Sequence, residues 1–228
     1  MNYFVDKLSM HQEHFEQLPL VGSSLCIEVD LQSGETISKN PKSLQLEGSY
    51  SSKLVIRCNG TRVSVSGNPS RFNRIDNLFG IESVDECVQV FNTILRKYDL
   101  PPFTRCTNTW FGQSEDGKKA RVITDGAMIT AIDWTKNHTV GENNVKQFLR
   151  GLSSQSVGRG KVGHLYSNQC TVNWGEGSEY KMTSVYDKEN DLKRQRKKRL
   201  KNASDIDIQY YDDLILYCKN IVFSLVTF

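Results

Sequence analysis

Asn59-Gly60 stands between two runs of alternating residues, "SKLVIRCNG" (52–60) and "TRVSVSG" (61–67). An Asn-Gly pair accepts the positive φ angles of a tight turn, and period-two alternation on either side puts apolar side chains on one face of a strand. An antiparallel hairpin is therefore expected in the first third of the chain. "LCIEVDL" (25–31) reads as another strand, and the residues before 45 are expected to add strands and an amphipathic N-terminal helix. In "SVDECVQVFNTILRKYDLPP", Ser83 and Glu86 have capping-box spacing, and Val84, Val88, Phe91, Leu95 and Tyr98 recur on one helical face. Pro101-Pro102 is expected to end that helix.

Further along, "TWFGQSEDGKKARVITDGAMITAIDWT" predicts strands joined by Asp-Gly turns at 116–117 and 125–126. "GENNVKQFLRGL" (141–152) predicts a helix with Val145, Phe148, Leu149 and Leu152 inward. "CTVNW" (170–174) and "EYKMTSVYDK" (179–188) read as strands, and "DIDIQYYDDLILYCKNI" as a helix. Together these predict an α+β fold with a central, largely antiparallel sheet and helices packed on one face. A division near 105–120 separates a strand-rich region, 1–105, with one amphipathic helix from a mixed region, 106–228, with which it can share one sheet.

Charge is the next constraint. The chain carries net +3, yet "KRQRKKRLK" (193–201) alone holds seven basic residues and no acid, so the remainder is net −4. Such a cluster, read as a helix, points to a polyanion partner. "SVGRGKVGH" (156–164) adds Arg159 and Lys161 on a glycine-rich loop suited to phosphate contacts. No apolar run approaches the roughly 20 residues of a membrane span, and the N-terminus lacks a secretory pattern. Cys26, Cys58, Cys87, Cys106, Cys170 and Cys218 show no CxxC spacing, which favours free thiols in a reducing cytoplasm. The four histidines never form His-hydrophobic-His, and HExxH, P-loop and GxSxG patterns are absent.

Two apolar stretches carry chemistry. Asp133 sits within "AMITAIDWTKN" (127–137), either at the solvent end of a strand or turning the chain, or else projecting from a central strand to bind Mg²⁺ or Mn²⁺ through a carboxylate. In "EYKMTSVYDK", alternation gives Tyr180, Met182, Ser184, Tyr186 and Lys188 one face. A tyrosine hydroxyl can attack a phosphodiester, but an ordinary phenol with a pKa near 10 needs activation. A cation on the scissile phosphate and a nearby lysine would supply it. The competing reading is a tyrosine packed on the sheet and a lysine closing the strand.

"SGNPSRFNRIDNLFG" (66–80), "ITAIDWTKN" (129–137) and "TVNWGEGSEYKMTSVYDKENDLK" (171–193), in this order, resemble the gene II-type replication initiation proteins of filamentous bacteriophages and their relatives in Vibrio phages. The resemblance covers most of the chain from about residue 45. It implies a Mg²⁺-dependent nicking-joining endonuclease that cuts the plus strand of double-stranded origin DNA, stays attached through a tyrosine, and works with host helicase and polymerase in the bacterial cytoplasm. The second region is then the nuclease-like core. Asp133 matches the family's "RID.T" aspartate, as metal ligand; Tyr186 and Lys188 match its "YDK", as nucleophile and charge-steadying cation. Asn68, Pro69 and Arg71 match its "GNPS+F" element, a structural turn or DNA contact. DNA contacts are expected from Arg71, Arg74, Arg159, Lys161, Lys193, Arg194, Arg196, Lys197, Lys198 and Arg199. Tyr180, then Tyr210 and Tyr211, are the rival nucleophiles, and Glu142 and Glu176 the candidate further ligands.

Two features depart from the family's pattern. Ala131 stands where relatives carry Arg, and "NIVFSLVTF" stands where a strand with an Arg-Phe-Glu-like element and then a further domain are expected. Phe223 and Ser224 occupy the glutamate's place. These departures leave room for a non-catalytic, truncated origin-binding module that competes with the full-length initiator, and more remotely for an RNA-binding protein.

Overall fold

A computed structural model describes residues 2–22, 24–47, 53–72, 74–113, 120–157, 160–201 and 203–228. The elements are β1 (Phe4–Glu13), β2 (Leu25–Val29), β3 (Thr36–Pro41), β4 (Leu44–Glu47), β5 (Lys53–Asn59), β6 (Arg62–Gly67), α1 (Val84–Arg96), β7 (Thr109–Gln113), β8 (Ala120–Thr124), β9 (Met128–Thr139), α2 (Val145–Ser153), β10 (His164–Leu165), β11 (Thr171–Trp174), β12 (Met182–Asp187), α3 (Lys188–Arg199), α4 (Asp205–Tyr217), a 3-10 turn at Cys218–Asn220, and β13 (Ile221–Thr227). Nine strands form one antiparallel sheet in the order β10-β11-β12-β13-β9-β1-β6-β5-β4. β2 with β3, and β7 with β8, form separate ribbons. The α+β class is as expected.

The β5–β6 hairpin closes at the Asn59↔Arg62 pair, with Gly60 at φ 62. The N-terminus differs from expectation. It is a ten-residue strand, not a helix, and it pairs with β9 on one side and β6 on the other. Leu8, Met10 and Gln12 are buried at alternate positions, which is the strand period. A bulge between Val5 and Lys7 breaks that period and hides it from a sequence reading. Because β1 lies between β9 and β6, residues on both sides of position 105 build a single sheet.

α1 begins at the expected Ser83 cap, whose hydroxyl accepts the Glu86 N–H at 3.4 Å, one arm of the expected capping box. It ends at Arg96, before the prolines: Asp99 turns left-handed at φ 54, and the Leu100 N–H donates to the Leu95 carbonyl at 3.1 Å. Phe91 and Leu95 pack with Val5, Leu8 and Met10, and Val145 and Leu149 of α2 pack with Val172, Val185 and Val222. α1 and α2 therefore back one face of the sheet. Alternation sends Tyr186 and Phe223, directly paired across β12 and β13, to the other face. There Leu78 accepts a 2.6 Å bond from Asn137, and the same segment packs through Ile75 and Leu78 on Leu192 of α3 and on Tyr211 and Leu214 of α4. The helices are thus divided between the faces rather than gathered on one, because α3 continues straight from β12 on the Tyr186 side.

The Asp125-Gly126 turn ties β9 to the segment before β7. Asp125 accepts the Thr107 and Asn108 N–H groups at 2.7 and 3.0 Å, which holds its carboxyl well below the usual range. A Cβ on Gly126 would stand 2.5 Å from the Cys106 nitrogen and 2.6 Å from the Arg105 oxygen, both backbone. Gly126→Ala is expected to cost about 1–3 kcal/mol, seen as a lower denaturation midpoint at unchanged slope. The Asp-Gly at 116–117 lies outside the described residues. All six cysteines are free, and among the described residues no helix is long and apolar enough to cross a membrane.

On the α2 side, His138 Nε2 lies 2.9 Å from Ser224 Oγ, whose hydroxyl is 3.2 Å from the Lys136 carbonyl oxygen that it meets as donor. The imidazole Nε2–H is then the donor to Ser224 in the neutral ring. Burial, and then Lys136, depress the His138 pKa below 6.5. A histidine lowered on folding contributes stability that is complete above its unfolded pKa and is lost as pH falls through the folded one. Thermal unfolding at pH 7.5 and 5.5 should show a smaller acid-induced drop for His138→Gln than for the parent chain.

Candidate active site

Tyr186 sits on β12 between Thr171 of β11 and Phe223 of β13. Its ring lies 5.1 Å from that of Phe223. Lys188, the first residue of α3, turns back beneath both rings, with Nζ 4.1 Å from the Phe223 centroid and 5.7 Å from that of Tyr186. Lys188 is wholly buried, donates to Asn77 Oδ1 at 2.9 Å, and lies 3.6 Å from Asp191. Burial pulls its pKa down, while Asp191 and then Asp6 oppose the shift. Burial pushes the Tyr186 phenol well above 10, and Asp191 and Asp6 push it further.

The tyrosine lines a cleft of about 640 Å³ shared with Asp6, Arg71, Asn77, Asp191, Arg194 and Arg199. Asp6 is the residue of the β1 bulge, a device that re-aims a side chain. Its Oδ1 accepts from Asn68 at 2.8 Å and Asn77 at 3.3 Å, and burial raises its carboxyl. Asn68 also accepts the Arg71 backbone N–H at 2.8 Å, which fixes the turn that brings Arg71 inward. Burial, and then the neighbouring Arg199, lower the Arg71 guanidinium to about 10. Arg199 is 6% exposed, with its Nη1 lacking a hydrogen-bond partner. Two desolvated guanidiniums, Arg199 close enough to disfavour the charge on Arg71, make a site that an anion would stabilise.

The basic run divides in space. Exposed Arg194 and buried Arg199 line the cleft, whereas Lys197 and Lys198 do not. Arg196 makes two 2.7 Å bonds to Asp212, tying α3 to α4, and Lys193 meets Glu189 at 2.6 Å. Arg74 is held by Asp76 at 3.3 Å and the Phe79 carbonyl at 3.1 Å, a structural tie. Lys161 lines a second cleft of about 590 Å³ with His164, Glu176 and Lys181. Arg159 lies outside the described residues. Of the rival tyrosines, Tyr180 is 83% exposed away from the cleft, Tyr210 donates to Asp76 at 3.3 Å, and buried Tyr211 donates to the Leu192 carbonyl at 3.2 Å.

Asp133 lies within β9, at neither end, on the same face as Tyr186. It is paired with Thr227, four residues along from the Asn137–Phe223–Tyr186 row and two strands over, which is roughly 16 Å between Cα atoms. Its Oδ1 lacks a hydrogen-bond partner, and burial raises its carboxyl. Glu142 is exposed in the turn before α2, and Glu176 is bonded to Tyr166 and Asn173. Asp6 is engaged as above, and Asp191 accepts from Arg194 at 3.2 Å and Gln195 at 2.6 Å. Among the described residues no three His, Cys, Asp or Glu side chains gather as a cation site. The side chains around Tyr186 therefore do not fit a divalent ion as they stand; the open oxygen on Asp133 is elsewhere on the face. Asp6 escaped the sequence reading, its only mark being a lone acid in the apolar "FVDKL".

The family described as the replication-associated gene II protein, N-terminal, matches residues 6–222. The replication-associated gene II protein of Escherichia phage If1 is 37% identical over 170 residues, 72% of this chain and 52% of that protein, so the chain spans about half the length of this curated relative. A solved structure of the rolling circle replication initiator protein from Geobacillus stearothermophilus covers 99% of this chain and 73% of its own at TM-score 0.38 and 12% identity, a likeness too distant to bear on the site. The family match begins at Asp6 and takes in Arg71, Tyr186 and the whole of α3, and on that span the chain belongs to the N-terminal family of the phage replication-associated gene II proteins.

Proposed function

We propose that the chain initiates rolling-circle replication of a filamentous phage by nicking the origin strand of double-stranded replicative-form DNA, with Tyr186 as the nucleophile. The observation that carries this reading is the convergence of Arg71, Arg194 and Arg199 on the cleft that Tyr186 lines. In the step, the Tyr186 oxygen bonds to phosphorus and its proton passes to a carboxylate of the cleft, Asp6 or Asp191. The bond from phosphorus to the 3′ oxygen breaks, and that oxygen takes up a proton to leave a 3′-hydroxyl for host polymerase, behind a host helicase. The arginines offset the charge that builds on the phosphate. Lys188 holds Asn77 and Asp191 in place beneath the ring. No step is routed through a cation, since the residues beside Tyr186 do not assemble a site for one.

A second reading has its own support: the Tyr186 phenol is held protonated far above the ordinary range, as suits a non-catalytic module that occupies the origin. Incubation with supercoiled plasmid carrying the phage origin, with Mg²⁺ or with chelator, separates the two. Open circles with labelled DNA trapped on protein support nicking, and the two arms decide the cation requirement. Tight binding without a nick in either arm sinks the nicking reading in favour of the module.

A further inference from the structure

A second tyrosine faces the same cleft. Tyr166 follows β10, and its N–H donates to the Thr171 carbonyl at 3.0 Å; Thr171 in turn pairs with Tyr186. Tyr166 and Tyr186 are thus two strands apart on one face, roughly 10 Å, and both line the cleft. Their surroundings differ. Tyr186 is packed between Phe223 and Lys188, whereas Tyr166 is 40% exposed at the rim. The Tyr166 hydroxyl donates to Glu176 Oε1. Asn173 Nδ2 donates to both of them, at 3.2 Å to the hydroxyl and 2.9 Å to the carboxylate. His164 Nδ1 lies 3.8 Å from the other Glu176 oxygen, and its ring lies 5.3 Å from that of Tyr166, tilted by 49°. This is a nucleophile, a base within reach of its proton, and side chains that orient the base.

The chemistry of the proposed reaction has a use for it. Once Tyr186 carries the 5′ end of the first cut, its oxygen is esterified and unable to cleave again. Releasing a displaced strand as a circle requires a second cleavage at the regenerated site. We propose that Tyr166, with Glu176 as its base, makes that second cut while Tyr186 still holds the first 5′ end; this rests on the nicking reading above. The Tyr166 proton passes to Glu176, the phenolic oxygen bonds to phosphorus, and the bond to the 3′ oxygen breaks. The new 3′-hydroxyl then attacks the Tyr186 phosphodiester, joining the displaced strand and freeing the Tyr186 oxygen, which takes up a proton.

The test uses the full chain and a 3′-labelled oligonucleotide of the phage's own origin strand, with adducts mapped by mass spectrometry of the protease digest. Adducts on both the Tyr186 and the Tyr166 peptides are expected. On origin plasmid under replication conditions, Tyr166→Phe and Glu176→Gln should each lower joined circles per nick at least tenfold. Adduct on the Tyr186 peptide alone, with joining per nick unchanged in Tyr166→Phe, overturns the proposal and leaves the nicking reading standing. The complete absence of adduct in the parent chain overturns both.

Discussion

Tyr186→Phe is expected to abolish covalent capture of origin DNA and to lower nicking of supercoiled plasmid by more than roughly 10³-fold, because the variant lacks the only atom assigned to attack phosphorus in the first cut. The fold should survive the change. The ring keeps its 5.1 Å contact with Phe223 and its place over Lys188, so the denaturation midpoint should move by less than about 1 kcal/mol in free energy. Burial, and then Asp191 and Asp6, keep the phenol protonated at neutrality, so the attack depends on a carboxylate of the cleft to take its proton. A Tyr186→Phe protein that nicks at the parent rate would remove Tyr186 as the nucleophile.

The largest stability effect is expected at Lys188. Lys188→Met keeps most of the volume beneath the two rings but takes the cation from Asp191, whose side chain is 10% exposed, and from Asp6. Removing one member of a buried charge network strands the others, and a loss of about 3–5 kcal/mol is expected. The loss should depend on pH in a definite direction. Asp6 has a folded pKa raised above 3.8, chiefly by burial, and Lys188 is the foremost influence holding that rise back. A carboxyl raised on folding favours the native state at low pH and withdraws that contribution as pH climbs through the folded value. Without Lys188 the rise is greater, so the deficit of the variant should be larger at pH 7 than at pH 4. Guanidinium unfolding at both values reads this out; a variant within about 1 kcal/mol of the parent at pH 7 would show the ammonium to be dispensable.

Much of the architecture rests on short-range rules that a sequence displays. The β5–β6 hairpin turns directly after Asn59 because Gly60 takes the positive φ the turn needs, and Ser83 opens α1 because a hydroxyl three residues upstream satisfies an orphan N–H. Alternation alone puts Ser184 and Tyr186 on one face, and "SVYDKENDLK" carries both the strand and the first turn of the basic helix. Where the local signal is interrupted, the expectation fails: a helix is expected where β1 stands, because the bulge at Asp6 breaks the period of two.

What the tertiary structure alone decided is which chemical groups meet. Asp6, Arg71, Tyr186 and Arg199 come from a strand, a loop, a second strand and a helix end, and no spacing in the chain encodes their approach. Conversely, Asp133 and Tyr186 share a face and look like partners in sequence, yet the register of β9 and β13 sets them four residues apart along the strands. The seven-cation run reads as one uniform surface, but Glu189, Asp191 and Asp212 neutralise part of it, Arg194 lines the cleft from an exposed position, and only Arg199 is buried. Likewise Glu176 reaches Tyr166 only because β10 folds back along β11. Element formation follows from the backbone and nearest neighbours, whereas a site depends on register and crossover, which are set by the burial of the whole sheet.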